Sequence, residues 1–385
     1  MPLEGLSLSQ ISTRMPRLAL AHFGDAWLTR RHLHQDEFRH PARVLDEAVE
    51  RGFNAVAIDP FPHLVAPRSD GVVIDRFELS GDHNVEVMPR RALVDFARLA
   101  AQRNLKLWLS SRFLPDTQAR RSFVRRPRDF IDVWSHTLEW LRHNSLLDSV
   151  VAVDICQHFP LPATSSGVAK VIFRGHGLHR LSLLPGWPAD VEQRVQAYLH
   201  EVPRALKTVF PGVRFGLSVN GASDRHIRRL DTSDLDFIDR HFWLDEDPRF
   251  ALLTGMPARG VTARGALSGL AGAVQGRLSG LAWRSSRLQW QRQQERQLNQ
   301  FNDFCRVRRL EPVLTRGYVH VPDHWHQDQT FLQEVSGFMV RSALAMDIGV
   351  LTPGYLARPQ NPDCWQQQAW LRELNGSITG ELVSG

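Results

Sequence analysis

Polar side chains able to do chemistry recur at the ends of short apolar runs along this sequence. His22 and Asp25 follow the first such run, Asp59 and His63 the second, and Ser111 and Asp116 the third. Asp154, Gln157 and His158 follow the fourth, Ser218 and Asn220 the fifth, and Asp239, His241 and Trp243 the sixth. The seventh leads to Arg316, Tyr318, His320 and Asp323. Tryptophans crowd the same positions: Trp27, Trp108, Trp187, Trp243, Trp325 and Trp365. Indoles beside carboxylates and amides suit a sugar, because the apolar face of a pyranose stacks on an indole while its hydroxyls need paired donors and acceptors. Each tryptophan taken singly reads as core, but the cluster predicts at least two at one rim. A second chemistry is open to the histidines. His63, His158, His241 and His320, with Asp59 nearby, could converge on a divalent metal, although no HxH or HExxH spacing marks such a site.

The runs that carry these residues read as strands: Arg17–Phe23, Phe53–Asp59, Leu105–Ser111, Ser149–Cys156, Val213–Val219, Leu235–Trp243, Pro312–Thr315 and Ile348–Thr352. Stretches of helical periodicity alternate with them, which is the pattern of βα units. Helices are predicted at Pro41–Arg51, from Pro89, at Pro127–His143, at Ala189–Val209 with a kink or break at Pro203, over the polar stretch Trp283–Arg309, and at Asp328–Leu344. A shorter one follows Ser223, and a closing one spans Asp363–Ile378. Eight units in series predict an α/β fold, a closed (β/α)₈ TIM barrel with long βα loop insertions, as a single domain over residues 1–385. The insertion over residues 60–88 is expected above the barrel mouth. Another, Gly/Ala-rich at about 254–282, contains GALSGLA and GRLSGLA eleven residues apart and reads as a lid or a mobile insertion. In such a barrel the functional groups gather at the C-terminal ends of the strands, where the polar residues above all fall.

Composition excludes several other classes. The net charge is +6, but of 47 basic residues only Lys106, Lys170 and Lys207 are lysines, and the arginines are scattered among acidic residues rather than gathered in a stripe. No nucleic-acid surface is expected from that distribution. Cys156, Cys305 and Cys364 are odd in number and far apart, giving neither a disulfide framework nor a zinc motif. The opening MPLEGLSLSQIS does not read as a signal peptide, and no apolar run is long enough for a membrane span, so a cytoplasmic protein is expected. The first strand leads into AHFGDAW rather than a dinucleotide-binding glycine loop, and no Walker loop occurs, so no cofactor is expected.

Seven segments resemble the sugar-binding cellulase-like proteins, relatives of the retaining (β/α)₈ glycoside hydrolases. They are DAWLTRRH (Asp25–His32), RGFNAVAIDPFPHLVA (Arg51–Ala66), WLSSRFLPD (Trp108–Asp116), VVAVDICQHFP (Val150–Pro160), DFIDRHFWL (Asp236–Leu244), EPVLTRGY (Glu311–Tyr318) and GVLTPGYLARPQ (Gly349–Gln360). They occur in order and span nearly the whole barrel. The resemblance implies an Asn-Glu pair at the end of strand four, with the glutamate as acid/base. Gln157 and His158 stand there instead. It implies a nucleophilic glutamate after a threonine at strand seven, where Thr315 is followed by Arg316, and an arginine on strand two, where Ala57 stands. His241 matches a family histidine that contacts sugar.

Retaining hydrolysis requires two carboxyl groups about 5 Å apart. An arginine stays protonated and has no lone pair with which to attack an anomeric carbon, and His158 could move a proton without replacing the nucleophile. The expected cleft residues are Trp27, Asp59, His63, Trp108, Asp154, Gln157, His158, His241, Trp243, Arg316 and Tyr318. The expected function is binding of a saccharide or sugar-containing ligand without standard retaining hydrolysis. Arg316 favours an anionic ligand, unless it merely pairs with Asp154 or Asp239. The alternatives are a hydrolase with a rebuilt site, using a substitute carboxylate such as Asp59, Asp239 or Asp323, and a metal-dependent hydrolase using the mouth histidines. A further possibility is a protein partner docking on the Gly/Ala-rich insertion or on the long helix, whose Leu298, Phe301 and Cys305 suffice for one buried face.

Overall fold

Eight short strands close into a parallel barrel in the computed structural model, which describes residues 14–381 except 34–35, 69, 80–83, 161–165, 177–185, 255–267 and 320–327. The strands are β1 (Leu18–Gly24), β2 (Ala55–Ile58), β3 (Lys106–Ser110), β4 (Val150–Asp154), β5 (Arg214–Val219), β6 (Phe237–Arg240), β7 (Glu311–Leu314) and β8 (Val350–Leu351). Each pairs in parallel with its neighbours in sequence, and β8 pairs with β1 to close the ring. The (β/α)₈ TIM barrel is thus the observed fold. His320, Asp323 and Trp325 lie outside the described residues.

Proline and charge set the helix boundaries. Pro127 occupies the first turn of the helix Pro127–His143, the Asp129 side chain accepts from the Arg126 backbone N–H, and Arg142 and His143 close its last turn. The helix Ala189–Val209 continues past Pro203 without a break. Pro203 is buried with Val202 and Leu206, so the packing of that face outweighs the one backbone hydrogen bond the ring removes. The stretch read as one strand over Leu235–Trp243 is two. Its first part, β6, belongs to the barrel, and Phe242–Trp243 pairs instead with Gly317–Tyr318 above it. The described part of the Gly/Ala-rich insertion belongs to a helix, Ser268–Ser285, whose Trp283 packs against Phe331 and Phe338 of the outer helix Gln329–Ala345. The C-terminal end of that helix thus packs against the helical ring. No described helix is long and apolar enough to cross a membrane.

Two apolar regions fill the fold. The larger joins the outer faces of the strands to the helices. The smaller lies inside the barrel and includes Leu20, Ala57, Trp108, Ala152, Phe237, Val313 and Val350. Trp108 and Phe237 meet there at a centroid distance of 4.8 Å. Gly216 makes room for them, since a Cβ at that position would lie 2.6 Å from the Phe237 ring. This apolar plug is the floor on which the functional groups stand.

Candidate functional site

Successive inward positions on a strand are two residues apart. One step beyond the plug, every one of those positions turns polar: His22 above Leu20, Asp59 above Ala57, Ser110 above Trp108, Asp154 above Ala152, Asp239 above Phe237, Thr315 above Val313 and Thr352 above Val350. Ser218 stands above Gly216 in the same way. All eight are buried. Buried polar groups must be bonded to one another or to a ligand, and the bonding gathers six of these eight, with their neighbours, into three groups.

The first is centred on Asp154. Its carboxylate accepts the Ser110 hydroxyl at 2.6 Å and the Ser218 backbone N–H at 3.0 Å, while Gln157 Nε2 donates to Ser110 Oγ at 2.7 Å. Burial, with the charge of Asp239 adding to it, pushes Asp154 up to about 6 against the pull of these donors.

The second runs from Asp239 outward. Asp239 accepts the Thr315 backbone N–H at 2.8 Å and the Thr315 hydroxyl, and its Oδ2 lies 3.1 Å from His241 Nε2. His241 Nδ1 then lies 2.6 Å from His158 Nε2. Burial pushes Asp239 up to about 7. With Asp239 ionised the donors run one way: His241 Nε2–H to the carboxylate and His158 Nε2–H to His241 Nδ1, leaving the basic nitrogen of His158 at Nδ1. His158 itself is half-buried, adopts φ 54°, and is fixed by its backbone N–H donating to Ser218 Oγ at 3.1 Å.

The third group gathers around Arg316. Its Nε donates to His22 Nε2 at 2.5 Å, and its guanidinium carbon lies 5.7 Å from the centre of the Tyr355 ring. Arg358 covers Tyr355 at 4.4 Å and donates to its hydroxyl at 3.1 Å. Trp243 meets Tyr355 edge-on at 5.3 Å and lies 6.5 Å from His241, which ties this group to the second. Burial and the charges of Arg316 and Arg358 hold His22 well below the usual histidine range, so it is neutral and accepts. Burial also lowers Arg316, with Arg112 acting in the same direction. The anticipated pairing of Arg316 with Asp154 or Asp239 does not form: among the described residues it has no carboxylate within ion-pair distance.

Of the eleven anticipated cleft residues, Asp154, Gln157, His158, His241, Trp243 and Arg316 meet in this assembly. The other five are placed elsewhere. Trp108 is the barrel plug, wholly buried beneath the polar layer. Trp27 packs on Phe61 and Phe96 and donates its indole N–H to the Asp59 carbonyl at 2.8 Å. Asp59 spends its oxygens on the backbone N–H groups of Phe61 (2.9 Å) and Arg112 (2.8 Å), fastening two loops together, and burial pushes it up to about 6. His63 bonds the Leu114 carbonyl at 3.0 Å beside Phe113, and burial holds it down at about 3. Tyr318 is buried and donates to the Thr352 carbonyl at 2.9 Å. Two further tryptophans once expected at the rim are also spent on packing, Trp187 stacked on His226 and Trp365 on Phe53. Among the described tryptophans named for the rim, Trp243 alone joins the mouth assembly. Ser110, Thr315, Tyr355 and Arg358 are members named neither as cleft residues nor as strand-end polar residues, while His22, Ser218 and Asp239 are named only as the latter. Counting in twos from the apolar strand positions exposes Ser110 and Thr315. Among the described residues no group of three or more His, Cys, Asp or Glu side chains is arranged to hold a metal ion, and His63 is tied away from the other histidines.

A model of the family described as sugar-binding cellulase-like matches residues 20–379. The chain belongs to that family. Solved structures agree on the fold of this cellulase-like barrel. A candidate glycoside hydrolase from Parabacteroides distasonis is 20% identical, with 94% of each chain covered and a TM-score of 0.79. An endo-β-1,4-mannanase from Thermotoga petrophila is 10% identical over 97% of this chain and 79% of its own, with a TM-score of 0.53. A GH5_18 variant from Streptomyces cattleya, in complex with Manβ1-4GlcNAc, is 15% identical over 96% and 82%, with a TM-score of 0.50. At such identities the likeness is one of fold. No curated protein matches the sequence. In this cellulase-like chain, then, the positions assigned by resemblance to acid/base and nucleophile hold a histidine bonded to a second histidine and a buried guanidinium.

Proposed function

We propose that the barrel mouth binds a saccharide or sugar-containing ligand without standard retaining hydrolysis. The observation that carries this reading is the state of the mouth carboxylates. Asp154 and Asp239 are both buried beneath the mouth and saturated by donors of neighbouring strands, while Arg316 fills the place of a nucleophile. A carboxylate so engaged is poorly placed to attack a sugar. The family description, and the sugar held by the Streptomyces cattleya neighbour, support a saccharide as the ligand class. Trp243 and Tyr355 supply aromatic surface beside hydrogen-bonding groups, the combination that sugars require. Titration calorimetry against a panel of neutral and acidic oligosaccharides tests this. The expected outcome is saturable binding of at least one member with no release of reducing ends; indifference to the whole panel overturns the reading.

The chain from His158 through His241 to Asp239 favours one second reading, a rebuilt site in which His158 Nδ1 moves a proton. It predicts turnover of a bound sugar that survives Arg316→Ala and is lost in His158→Ala.

A further inference from the structure

We propose that Arg316 is an oxyanion receptor and that the sugar bound at the mouth is acidic, with a hexuronate as the first candidate. The proposal rests on the saccharide reading above and adds the ligand's charge.

Arg316 is only 7% exposed, yet among the described residues a single one of its donors finds an acceptor, Nε on the neutral His22. Its two terminal nitrogens have no protein acceptor among the described residues. The carboxylates that feel its charge, Asp154 and Asp239, lie beyond ion-pair distance and are already engaged by Ser110, Ser218, Thr315 and His241. The nearby cations add to its charge instead of balancing it: Arg112 acts on Arg316, and Arg358 shares the Tyr355 ring with it. Arg112 has its own partner in Asp25 at 3.7 Å. A buried cation with no counter-ion among the described residues is a costly arrangement, which an anionic ligand would relieve. The Nε–His22 bond fixes the guanidinium plane, leaving the paired terminal N–H groups that recognise carboxylate or phosphate oxygens bidentately. A carboxylate on the sugar ring, or a phosphate or sulfate ester, supplies the missing partner.

The test compares wild-type protein with Arg316→Gln. The probes are trisaccharides of glucuronate, galacturonate and mannuronate, their methyl esters, glucose 6-phosphate, galactose 6-sulfate and inorganic phosphate. Binding is read by calorimetry and folding by thermal melting. The expected result is at least tenfold tighter binding of one acidic sugar than of its uncharged counterpart. That preference disappears in Arg316→Gln, while the melting temperature does not fall. Which acidic arm wins identifies the oxyanion. Equal affinity for acids and neutral counterparts overturns the proposal and leaves the saccharide reading standing. So does a preference that persists in Arg316→Gln together with a lowered melting temperature, which makes the arginine structural. Inorganic phosphate binding as tightly as any acidic sugar also overturns it. No binding by any sugar removes the saccharide reading itself.

Discussion

Asp59 and His63 after β2 look much like Asp239 and His241 at the end of β6, each pair a carboxylate and an imidazole at a strand end. The structure gives them opposite fates. Asp59 and His63 are consumed by the backbone of the surrounding loops, whereas Asp239 and His241 bond to each other and reach His158. The spacing explains the difference. Asp239 and His241 are two apart on extended chain, so both side chains point into the barrel. Asp59 and His63 are separated by Pro60, Phe61 and Pro62, where Phe61 takes φ 53° and a short helix, Pro62–Val65, carries the histidine away from the axis. The corner after β2 is thereby scaffold, and the assembly with chemical potential is centred on β4, β6 and β7, joined by His22 of β1 and Ser110 of β3.

Substitutions on the two sides should therefore separate stability from binding. The largest expected effect lies below both sides. Trp108→Ala empties the plug and should cost about 3–5 kcal/mol by denaturant unfolding. Asp59→Ala strands the Phe61 and Arg112 N–H groups, at about 1–3 kcal/mol for each donor left buried. The protein that remains folded should bind sugar as before, and a selective loss of affinity would place Asp59 in the cleft after all. On the other side, Asp239→Asn keeps an acceptor for Thr315 but cannot ionise. Because burial raises Asp239 to about 7, its contribution to wild-type stability is present below the unfolded carboxylate range near 4 and is lost as pH rises through 7. Melting curves from pH 5 to 8 should show the variant gaining on wild type, by at most about 1.4 kcal/mol per pH unit. A flat difference would mean that Asp239 is ionised throughout. The smallest effect belongs to His158→Ala, with a stability change of about 1 kcal/mol or less and a change confined to ligand affinity or turnover.

Much of this is legible in the sequence. Eight apolar runs alternating with helical periodicity gave the barrel, and Pro127 with Arg142 and His143 gave one helix to the residue. Strand ends were found because polar residues interrupt the runs there. Direction was harder. Trp108 and Ser110 lie on one strand face, and only knowing that Trp108 fills the lumen shows that Ser110 must cap it. Trp27 and Trp365 sit beside polar residues in sequence but are spent on packing against Phe96 and Phe53, a choice made by tertiary burial that composition does not encode. Tyr355 and Arg358 lay within a recognised motif, yet their role depends on β8 bringing them beside Arg316, almost forty residues earlier in the chain.

The separation of binding from cleavage is most directly tested by proton NMR of the anomeric signals of a bound oligosaccharide held with the wild-type protein. Line broadening that reports binding, with anomeric signals unchanged over days, is the predicted result. New reducing-end signals of retained configuration, growing with time and absent in Asp239→Asn, would contradict it and make the barrel a working retaining hydrolase.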